Sequence, residues 1–371
     1  MNILITSPSL DMRQNVNGIS AVVNAIVQNS SHQYFHYRLG RNDDQRGGVG
    51  WIFGLARQFL SFPGFVRRHR IQLVHQNFPF DAKGILREAV IAALSRLLRV
   101  PVLLHIHGGA FLMDGCPNRL LRGLASYTLR SSRSLVVLSE VEREALVRNF
   151  GIEGAEVLSN AVELPAASQK RDVLVDDKLT LLFLGRIHES KGVEDMVDAF
   201  RILYPRKKFR FIACGSGPLE SFLRESCSNI MNADFEFLGV VSGAEKGAVI
   251  DRCDIFLLPS RYGEGLPMAL LETMAKGLVP VVTDDASMKL VVRSRVNGLR
   301  VAKRDPGDLV AKIEELLNSP ELRGRLSHEA ERTVRENYGI GGYIARLEEL
   351  YQRCARAPRR AAGQSDTAGS A

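Results

Sequence analysis

Residues 255–272 read Ile255-Phe-Leu-Leu-Pro-Ser-Arg-Tyr-Gly-Glu-Gly-Leu-Pro-Met-Ala-Leu-Leu-Glu272, and this stretch decides how the chain is interpreted. Its apolar start predicts a buried strand, its glycines predict a turn, and its end predicts a helix. Pro267 fits the first helical position, where a missing N–H costs nothing, and Gly277 fits the residue that closes the helix. The free amides of residues 268–270 are then expected at a helix N-terminus, which favours phosphate.

Two carboxylates in this stretch are expected to do different work. Glu264 precedes the helix and lies in the turn, close to whatever is attached beyond the phosphates. Glu272 follows Pro267 by five residues, about 7.5 Å along a helix axis. A carboxylate at that distance can accept hydrogen bonds from both ribose hydroxyls, as acidic residues do in dinucleotide folds.

A second element, Leu184-Gly-Arg-Ile-His-Glu-Ser-Lys-Gly192, also follows a predicted strand and precedes a predicted helix. Its glycines, Gly185 and Gly192, bracket the cations Arg186 and Lys191. Two fixed cations at such a turn can neutralise a pyrophosphate leaving group. The nearby Cys214-Gly-Ser-Gly-Pro218 lacks a full GxGxxG and an acidic partner, so it is interpreted as a tight turn lining a cleft.

Short apolar runs alternate with helical patterns along the whole chain, which predicts an α/β fold with doubly wound parallel sheets. The predicted strands are Asn2–Thr6, Gln72–His75, Val102–His107, Ser134–Ser139, Ala155–Leu158, Leu179–Leu184, Phe209–Cys214, Phe235–Leu238, Ile255–Pro259 and Val279–Thr283. The predicted helices are Ile19–Gln28, Ile85–Leu98, Arg119–Ser131, Glu140–Phe150, Val193–Leu203, Leu219–Ser226, Ala244–Arg252 and Pro267–Lys276.

The chain of 371 residues is long enough for two domains. The apolar rhythm stops in Glu163–Lys178, whose composition is that of a linker. We therefore predict a first Rossmann-like domain at 1–165 and a second at 166–340. A helix at 341–356 is expected to pack back on the first domain, and the Ala-, Gly- and Ser-rich residues 357–371 are expected to be disordered. Facing halves would enclose a cleft for a small molecule.

Two features of the first half point to this cleft. Gly18 opens a helix after the first strand, so its backbone can approach a ligand closely. His105 and His107 stand at i and i+2 near the end of a strand and therefore share one face. Hydrogen bonding to sugar hydroxyls is the expected use of these histidines, and His107 is expected to be the more exposed. A zinc site is the weaker alternative, because no third ligand is spaced to complete it.

Charge and hydropathy point to an anionic surface or ligand. Residues 1–165 hold 18 lysines and arginines against 12 aspartates and glutamates, and all but one of the basic residues are arginine. Arginine suits phosphate, so anionic lipid or pyrophosphate is one interpretation, and a solvated basic surface is the other. The apolar stripe at Ile52, Leu55, Ala56, Phe59 and Leu60 leaves the same choice between a membrane interface and packing on its own domain. Pro63 is expected to break this helix.

Composition excludes several classes of protein. No apolar run is long enough to span a bilayer, and the N-terminus lacks a basic leader, so a cytoplasmic protein is expected, with association at the inner face of a membrane as a further option. The five cysteines form no CxxC pair, so neither a disulfide framework nor a zinc site is indicated. No basic-aromatic cluster accompanies the net charge of +8, so nucleic acid is not an expected partner.

Taken together, these motifs resemble the retaining GT-B glycosyltransferases of group 1, the GT4 family. The resemblance rests on the Glu-x7-Glu pair of Glu264 and Glu272, on Gly185-Arg186 with Lys191-Gly192, on the glycine loop at Gly18, and on His107-Gly108. The interdomain segment Leu158–Val162 also looks like a family feature. The N-terminal loop departs from the family, because it reads Asn-Gly where Gly-Gly is usual.

The resemblance implies a set of roles. Arg186 and Lys191 would bind the donor pyrophosphate, Glu264 the sugar hydroxyls and Glu272 the ribose, while His107 would lie near both the donor sugar and the acceptor. The predicted catalytic residues are thus His107, Arg186, Lys191 and Glu264. The predicted donor-binding residues are Gly18, Gly185, Glu264, Gly265, Leu266, Pro267, Met268, Ala269 and Glu272.

The expected reaction is transfer of a sugar from a nucleoside diphosphate to a hydroxyl acceptor with retained anomeric configuration, in assembly of a polysaccharide or glycolipid. A lipid-linked saccharide is one acceptor that fits the basic first half. Neither a metal nor another cofactor is expected. Two alternatives stay open, namely a sugar-nucleotide epimerase of the same architecture and a catalytically silent subunit that binds nucleotide sugars.

Overall fold

The computed structural model describes residues 1–11, 18–40, 49–165, 178–262, 265–285 and 288–356, with only the backbone at 49–52. The elements of its first part are β1 (Asn2–Ser7), α1 (Gly18–Asn29), β2 (Gln33–Arg38), α2 (Val49–Arg68), β3 (Leu73–Phe78), α3 (Ala82–Leu97), β4 (Val102–Ile106), α4 (Ala110–Met113), α5 (Arg119–Ser131), β5 (Ser134–Val137), α6 (Glu140–Phe150) and β6 (Glu156–Val157).

The remaining elements are β7 (Thr180–Leu184), α7 (Val193–Leu203), β8 (Arg210–Cys214), α8 (Glu220–Met231), β9 (Phe235–Gly239), α9 (Gly243–Asp251), β10 (Ile255–Leu258), α10 (Met268–Ala275), β11 (Val279–Thr283), α11 (Met288–Val291), β12 (Leu299–Val301), α12 (Pro306–Asn318), α13 (Pro320–Asn337) and α14 (Ile340–Arg356). Single 3-10 turns lie at Glu189–Lys191 and Asn232–Asp234.

Two six-stranded parallel sheets confirm the predicted fold class. The strand orders are β2-β1-β3-β4-β5-β6 and β12-β11-β10-β7-β8-β9. Strands β3, β4, β7 and β11 are buried along their whole length, because helices cover both faces of each sheet. Their near-continuous apolar sequence is the consequence, and it is why these strands could be predicted.

The edge strands β2 and β12 were not predicted. β2 reads Gln-Tyr-Phe-His-Tyr-Arg and has mostly half-buried or exposed side chains, and β12 is three residues long. An edge strand is covered on fewer sides, so it needs no apolar run. The sequence pattern therefore carried too little signal for either strand.

Helix α2 corrects the expectation that Pro63 breaks the helix, because α2 continues through Pro63 to Arg68. Phe62 and Val66 are buried, and Leu55 and Phe59 pack against the same core. These four side chains anchor both sides of the proline on the first sheet. The packing offsets the hydrogen bond that proline removes.

The chain returns to its first half at the C-terminal end. The Val162 amide donates to the Tyr338 carbonyl at 2.9 Å, and the Ile340 amide donates to the Val162 carbonyl at 3.0 Å. Helix α14 then packs against α1, β3 and β4. The predicted boundaries at 165/166 and 340/341 stay predictions. Residues 166–177, within the predicted linker, and the predicted disordered tail at 357–371 lie outside the described residues.

Candidate active site

The strand order of each sheet reverses at one point, and the predicted donor motifs lie at the reversal in the second sheet. There β7 lies beside β10, and their carboxyl ends are Leu184 and Leu258. In open α/β sheets such a reversal leaves a crevice outside the carboxyl ends of the strands. The turns that begin at Gly185 and at Pro259 both open into this crevice.

Helix α10 begins one residue later than predicted. Pro267 is its N-cap, with φ −66° and ψ 127°, so Met268 is the first helical residue. Among the described residues, no acceptor faces the amides of Met268, Ala269 or Leu270. Leu266 and Met268 are buried residues, so their side chains offer a ligand no exposed surface.

The end of α10 confirms the predicted role of Gly277. This residue adopts φ +77°, its amide donates to the Met274 carbonyl, and the Leu278 amide donates to the Thr273 carbonyl. These two bonds form a Schellman motif, which satisfies carbonyls that the helix leaves unpaired. Glu264, the predicted ligand of the sugar hydroxyls, lies outside the described residues.

The cation-bearing turn lies directly against the exit of β10. A Cβ on Gly192 would lie 2.1 Å from the Pro259 carbonyl oxygen, and Gly192 has φ +69°, so only glycine fits. Lys191 ends a 3-10 turn and is half-buried, whereas Arg186 is exposed. Because of this close approach, both predicted cations lie on a turn that borders the crevice.

Arg261, which the sequence did not identify, links the turn after β10 to the turn after β7. Its amide donates to the Ser190 carbonyl at 2.8 Å, and its guanidinium makes two 2.8 Å bonds to Asp195 and one to Glu194. Those acidic partners raise the pKa of Arg261 further above its usual range. The fork geometry therefore fixes the β10 exit relative to the start of α7.

The segment Cys214–Pro218 is the tight turn that was predicted. A Cβ on Gly215 would lie 1.8 Å from the Gly185 carbonyl oxygen, and the Ile187 amide donates to the Ser216 carbonyl at 2.8 Å. The glycines therefore let this turn support the backbone of the cation-bearing turn.

Glu272, the predicted ribose ligand, lies on α10 and pairs with a residue that the sequence did not identify. Its Oε1 lies 2.6 Å from Nζ of Lys246 on α9, and both side chains are about one-fifth exposed. This ion pair occupies one carboxylate oxygen and holds the side chain in one orientation. Its role toward ribose stays a prediction.

The two halves meet at the turn before α10. A Cβ on Gly108 would lie 3.2 Å from Cα of Gly265, and a Cβ on Gly265 would lie 3.1 Å from Cδ1 of Leu138. Asn160, in the predicted interdomain segment, donates to the Leu266 carbonyl at 2.7 Å. Predicted donor residues of the second half are thereby brought next to the strand ends of the first half.

Gly18 is exposed and is the first residue of α1, as predicted, and α1 contacts α10. The adjoining Asn17 lies outside the described residues. Gly18 leaves open space around its missing side chain, since no atom lies within 4 Å of a Cβ built there. Its predicted part in donor binding is untested by this geometry.

His105 is not available to sugar hydroxyls, which corrects the expectation for this residue. It is completely buried between His75 and His107, at ring-centroid distances of 5.4 and 4.2 Å, and burial lowers its pKa to about 3. His107 shares the same face and is half-buried, so it is the more exposed of the two, as predicted. Burial and the neighbouring His105 and His75 lower the pKa of His107 well below its usual range.

A third residue that the sequence did not identify is Glu142, on α6. Its side chain is 2% exposed, its Oε2 accepts from the Leu138 amide at 2.7 Å, and its Oε1 faces Gly108 and Gly265. Burial raises the pKa of Glu142 to about 7. The spacing Ser139-x-x-Glu142 resembles a helix capping box, so its sequence signal is local and says nothing of a cleft.

Two further observations concern ligands and membranes. Within the described ranges, no group of three or more His, Cys, Asp and Glu side chains is arranged to hold a metal ion. In the same part of the chain, no helix combines the length and hydropathy needed to cross a bilayer.

Comparison with family models matches both halves of the chain. The model described as Glycosyl transferases group 1 matches residues 166–333, and the model described as Glycosyl transferase 4-like domain matches residues 27–161. An uncharacterised glycosyltransferase of Methanocaldococcus jannaschii is 22% identical over 370 residues, which cover 95% of this chain and 89% of the relative.

Solved structures share the architecture. Sucrose-phosphate synthase from Thermosynechococcus elongatus aligns with a TM-score of 0.77 at 16% identity, covering 95% of this chain and 98% of that one. Anabaena HepE in complex with UDP-glucose aligns with a TM-score of 0.75 at 14% identity, covering 95% and 99%. At such identities the likeness shows the fold alone.

Proposed function

The chain belongs to the glycosyltransferase group 1, or GT4, family and has the GT-B architecture, and from this premise we propose its reaction. It moves a sugar from a nucleoside diphosphate sugar to a hydroxyl acceptor and retains the anomeric configuration. The assembly of a polysaccharide or glycolipid is the setting that we propose.

One observation carries this proposal, namely the meeting of three features at one crevice. The first amides of α10, which have no acceptor among the residues that the structure describes, lie beside it. The turn with Arg186 and Lys191 borders it, and His107-Gly108 of the first half contacts the turn at Gly265. Amides and cations suit a pyrophosphate. The seam between the two halves, where Gly108 faces Gly265, suits a sugar that meets a second substrate. The UDP-glucose held by Anabaena HepE supports a nucleotide sugar as donor.

In the mechanism that we propose, the acceptor hydroxyl attacks from the face that the diphosphate leaves. The bond from the anomeric carbon to the phosphate oxygen breaks, and the new glycosidic bond forms on the same side. The departing phosphate takes the hydroxyl proton. Arg186, Lys191 and the amides of residues 268–270 stabilise the negative charge that grows on the leaving group.

The same cations make a metal ion unnecessary in this proposal. Chelation of divalent ions with EDTA is therefore expected to leave the transfer rate unchanged in the purified protein. Loss of transfer after chelation, with recovery on adding Mg²⁺ or Mn²⁺, would contradict this part of the mechanism.

The acceptor that we propose is a saccharide linked to lipid, reached by peripheral contact with an anionic membrane. Exposed apolar side chains and arginines share the outer face of α2 in the basic first half, and they support this contact. The combination suits an interface rich in anionic headgroups.

The donor can be identified by thermal shift with a panel of UDP, GDP, ADP and dTDP sugars. A ligand that binds only the folded protein raises its Tm in proportion to its concentration relative to Kd. The donor that gives the largest shift is then offered with simple saccharide acceptors, and the anomeric configuration of the product is read by NMR. An inverted product would overturn the proposed retention.

Substitution of the two cations tests the leaving-group role. Lys191→Ala and Arg186→Ala are each expected to lower kcat by roughly 10²-fold, the usual effect of removing one preorganised charge. Arg201→Ala is the matched control, since Arg201 makes an exposed ion pair with Asp198 on α7. Unchanged turnover in a folded Lys191→Ala protein would remove Lys191 from the mechanism.

Two rivals make different predictions for the same donor. An epimerase would convert the nucleotide sugar to its epimer without any acceptor, which NMR of the donor alone would reveal. A silent binding subunit would show a thermal shift but neither transfer nor slow donor hydrolysis. Acceptor-dependent release of the nucleoside diphosphate supports the transferase.

A further inference from the structure

His107 is held by a hydrogen bond that the proposed mechanism does not use. Its Nε2 lies 2.6 Å from Oδ1 of Asn77, which follows His75 by two residues and lies on the neighbouring strand β3. Asn77 is buried, so this contact is shielded from water. The pair lies next to the seam, because the carbonyl of His107 is 3.6 Å from a Cβ built on Gly265.

The backbone of β1 decides which way the Asn77 amide points. The side-chain nitrogen Nδ2 lies 2.7 Å from the Thr6 carbonyl oxygen, and the Asn77 amide donates to Thr6 Oγ1 at 3.0 Å. A carbonyl oxygen only accepts hydrogen bonds, so the amide group facing Thr6 must be the NH2 group. The oxygen Oδ1 is therefore the atom that faces His107.

The orientation of Asn77 in turn decides the tautomer of His107. An amide oxygen only accepts, so Nε2 of His107 must carry the proton. A neutral imidazole carries one ring proton, which leaves the lone pair on Nδ1. Burial beside His105 and His75 disfavours a second proton.

The other ring nitrogen is left without a protein partner. Nδ1 of His107 makes no hydrogen bond among the residues that the structure describes, and His107 as a whole is only half-buried. A hydrogen-bond acceptor in this position can be satisfied by a hydroxyl, which donates a proton, and not by an ether or a carbonyl group, which only accept.

We propose that Asn77 is a positioning residue that holds His107 as the Nε2–H tautomer, so that Nδ1 accepts a hydrogen bond from a substrate hydroxyl. The step from tautomer to substrate rests on the proposed function, whereas the tautomer itself does not. The site would then discriminate against a sugar that lacks this hydroxyl, because the bound sugar would cover Nδ1 and leave it without a hydrogen-bond donor, which is costly.

The tautomer can be read directly by ¹⁵N NMR of protein labelled at histidine. The chain has eight histidines, and the His107 signals are those lost in His107→Gln. We expect wild type to show a protonated Nε2 and an unprotonated Nδ1. Asn77→Ala is expected to lose this preference. Asn77→Asp is expected to keep Nε2 protonated, because its carboxyl, protonated on the oxygen that faces the Thr6 carbonyl, still presents an acceptor oxygen to the ring.

Asn297→Ala is the matched control, because Asn297 is a completely buried asparagine whose amide bonds within the second half. It is expected to leave the His107 signals unchanged. A wild-type Nδ1–H tautomer, or an Asn77→Ala spectrum identical to wild type, would overturn the proposal. If Asn77→Ala fails to fold, an unprotonated Nε2 in Asn77→Asp overturns it equally.

Kinetics with the donor found by thermal shift separate this inference from the proposed function. Asn77→Ala is expected to lower kcat/KM roughly tenfold, the loss typical of one misaligned hydrogen bond, with Asn77→Asp closer to wild type. A protein that shows the expected tautomers but transfers no sugar supports the role of Asn77 in holding His107 and counts against the proposed function alone.

Discussion

Single residues at the donor end depend on partners that hold them in place. Lys246 neutralises one oxygen of Glu272, and Arg261 joins the turns on either side of the crevice. Lys246 lies outside the motifs that identified the site, and Arg261, although within the stretch 255–272, was given no role from the sequence. A side chain that is to meet a ribose must be held still beforehand, since ordering it on binding costs free energy.

Glu272→Ala is expected to weaken binding of the nucleoside diphosphate by roughly tenfold, the loss of a charge-assisted hydrogen bond. Lys246→Met should have a smaller effect, because it frees Glu272 without removing it. The measurement is the concentration of nucleotide that gives half of the maximal thermal shift. Glu245→Ala, a change of a neighbouring carboxylate on α9, serves as control. Equal affinity for Glu272→Ala and this control would contradict the ribose role.

Glu142 gives the protein a pH-dependent stability with a defined sign. Its pKa is about 7 in the folded protein, above the value of 4.5 for an ordinary glutamate. The folded state therefore prefers the protonated carboxyl. The protonated carboxyl contributes its full stabilisation of the folded state below pH 4.5. As the pH rises through 7 this stabilisation is lost, which lowers the free energy of unfolding by up to roughly 3 kcal/mol.

Glu142→Gln cannot ionise, so its stability relative to wild type should improve between pH 5 and pH 8.5. Urea unfolding at both pH values measures this difference. Glu144→Gln, an exposed position on the same helix, should show no such change. A constant difference between Glu142→Gln and wild type across this range would show that Glu142 ionises as an ordinary surface carboxyl.

At the scale of the element, α2 shows how one helix serves two surfaces. Leu55, Phe59, Phe62 and Val66 face the core of the first half. Phe53 and Leu60 are 72% and 83% exposed on another face, where Arg57, Arg67 and Arg68 are also exposed. Both interpretations of the apolar stripe therefore have support, since Leu55 and Phe59 pack inward and Leu60 points outward. The side chain of Ile52 is not among those described.

The outer face of α2 predicts binding to anionic vesicles. Phe53→Ser with Leu60→Ser is expected to weaken partition onto phosphatidylglycerol vesicles by roughly tenfold or more, because two apolar side chains lose their burial. Sedimentation of the protein with vesicles measures the bound fraction. Leu97→Ser is the matched control, since Leu97 is 77% exposed at the end of α3. Identical partition of the double variant and the control would exclude α2 as the contact.

The strands that could be predicted are those with an apolar sequence. Strands covered on both faces carry unbroken apolar runs and were predicted with small errors at their ends. Of the four edge strands in the two described sheets, β6 and β9 were also predicted, whereas the more polar β2 and the three-residue β12 were missed. The proline of α2 was misinterpreted because local propensity favours a break, whereas packing of Phe62 and Val66 decides otherwise.

At the scale of the whole molecule, backbone atoms of the two halves contact each other directly at the seam. Gly108 has φ +71°, and a side chain there would meet Gly265. Gly151 also has a positive φ, +60°, but no atom lies within 4 Å of its missing Cβ. A substitution at Gly151 therefore tests backbone strain alone, whereas a substitution at Gly108 tests backbone strain together with crowding at the seam.

Gly108→Ala and Gly151→Ala should each cost about 1 kcal/mol of stability, the penalty for a side chain in the left-handed region. Gly108→Ala alone should also lower kcat/KM, roughly tenfold or more, because its methyl group pushes the turn before α10 away from the first half. Unfolding and steady-state kinetics on both variants provide the test. Equal kinetics in the two variants would show that the seam tolerates the displacement.

The sequence by itself determined the class of fold, most of the buried strands, and the motifs at the carboxyl ends of β7 and β10. These follow from patterns within one short stretch, such as an apolar run, a glycine at a turn or a proline at a helix start. Only the tertiary structure decided that Glu142 and Asn77 lie at the seam, that Lys246 pairs with Glu272, and that His105 is buried in the core. Those residues meet partners far away in the chain, and the order of strands in the sheets, which no local pattern encodes, brings them together.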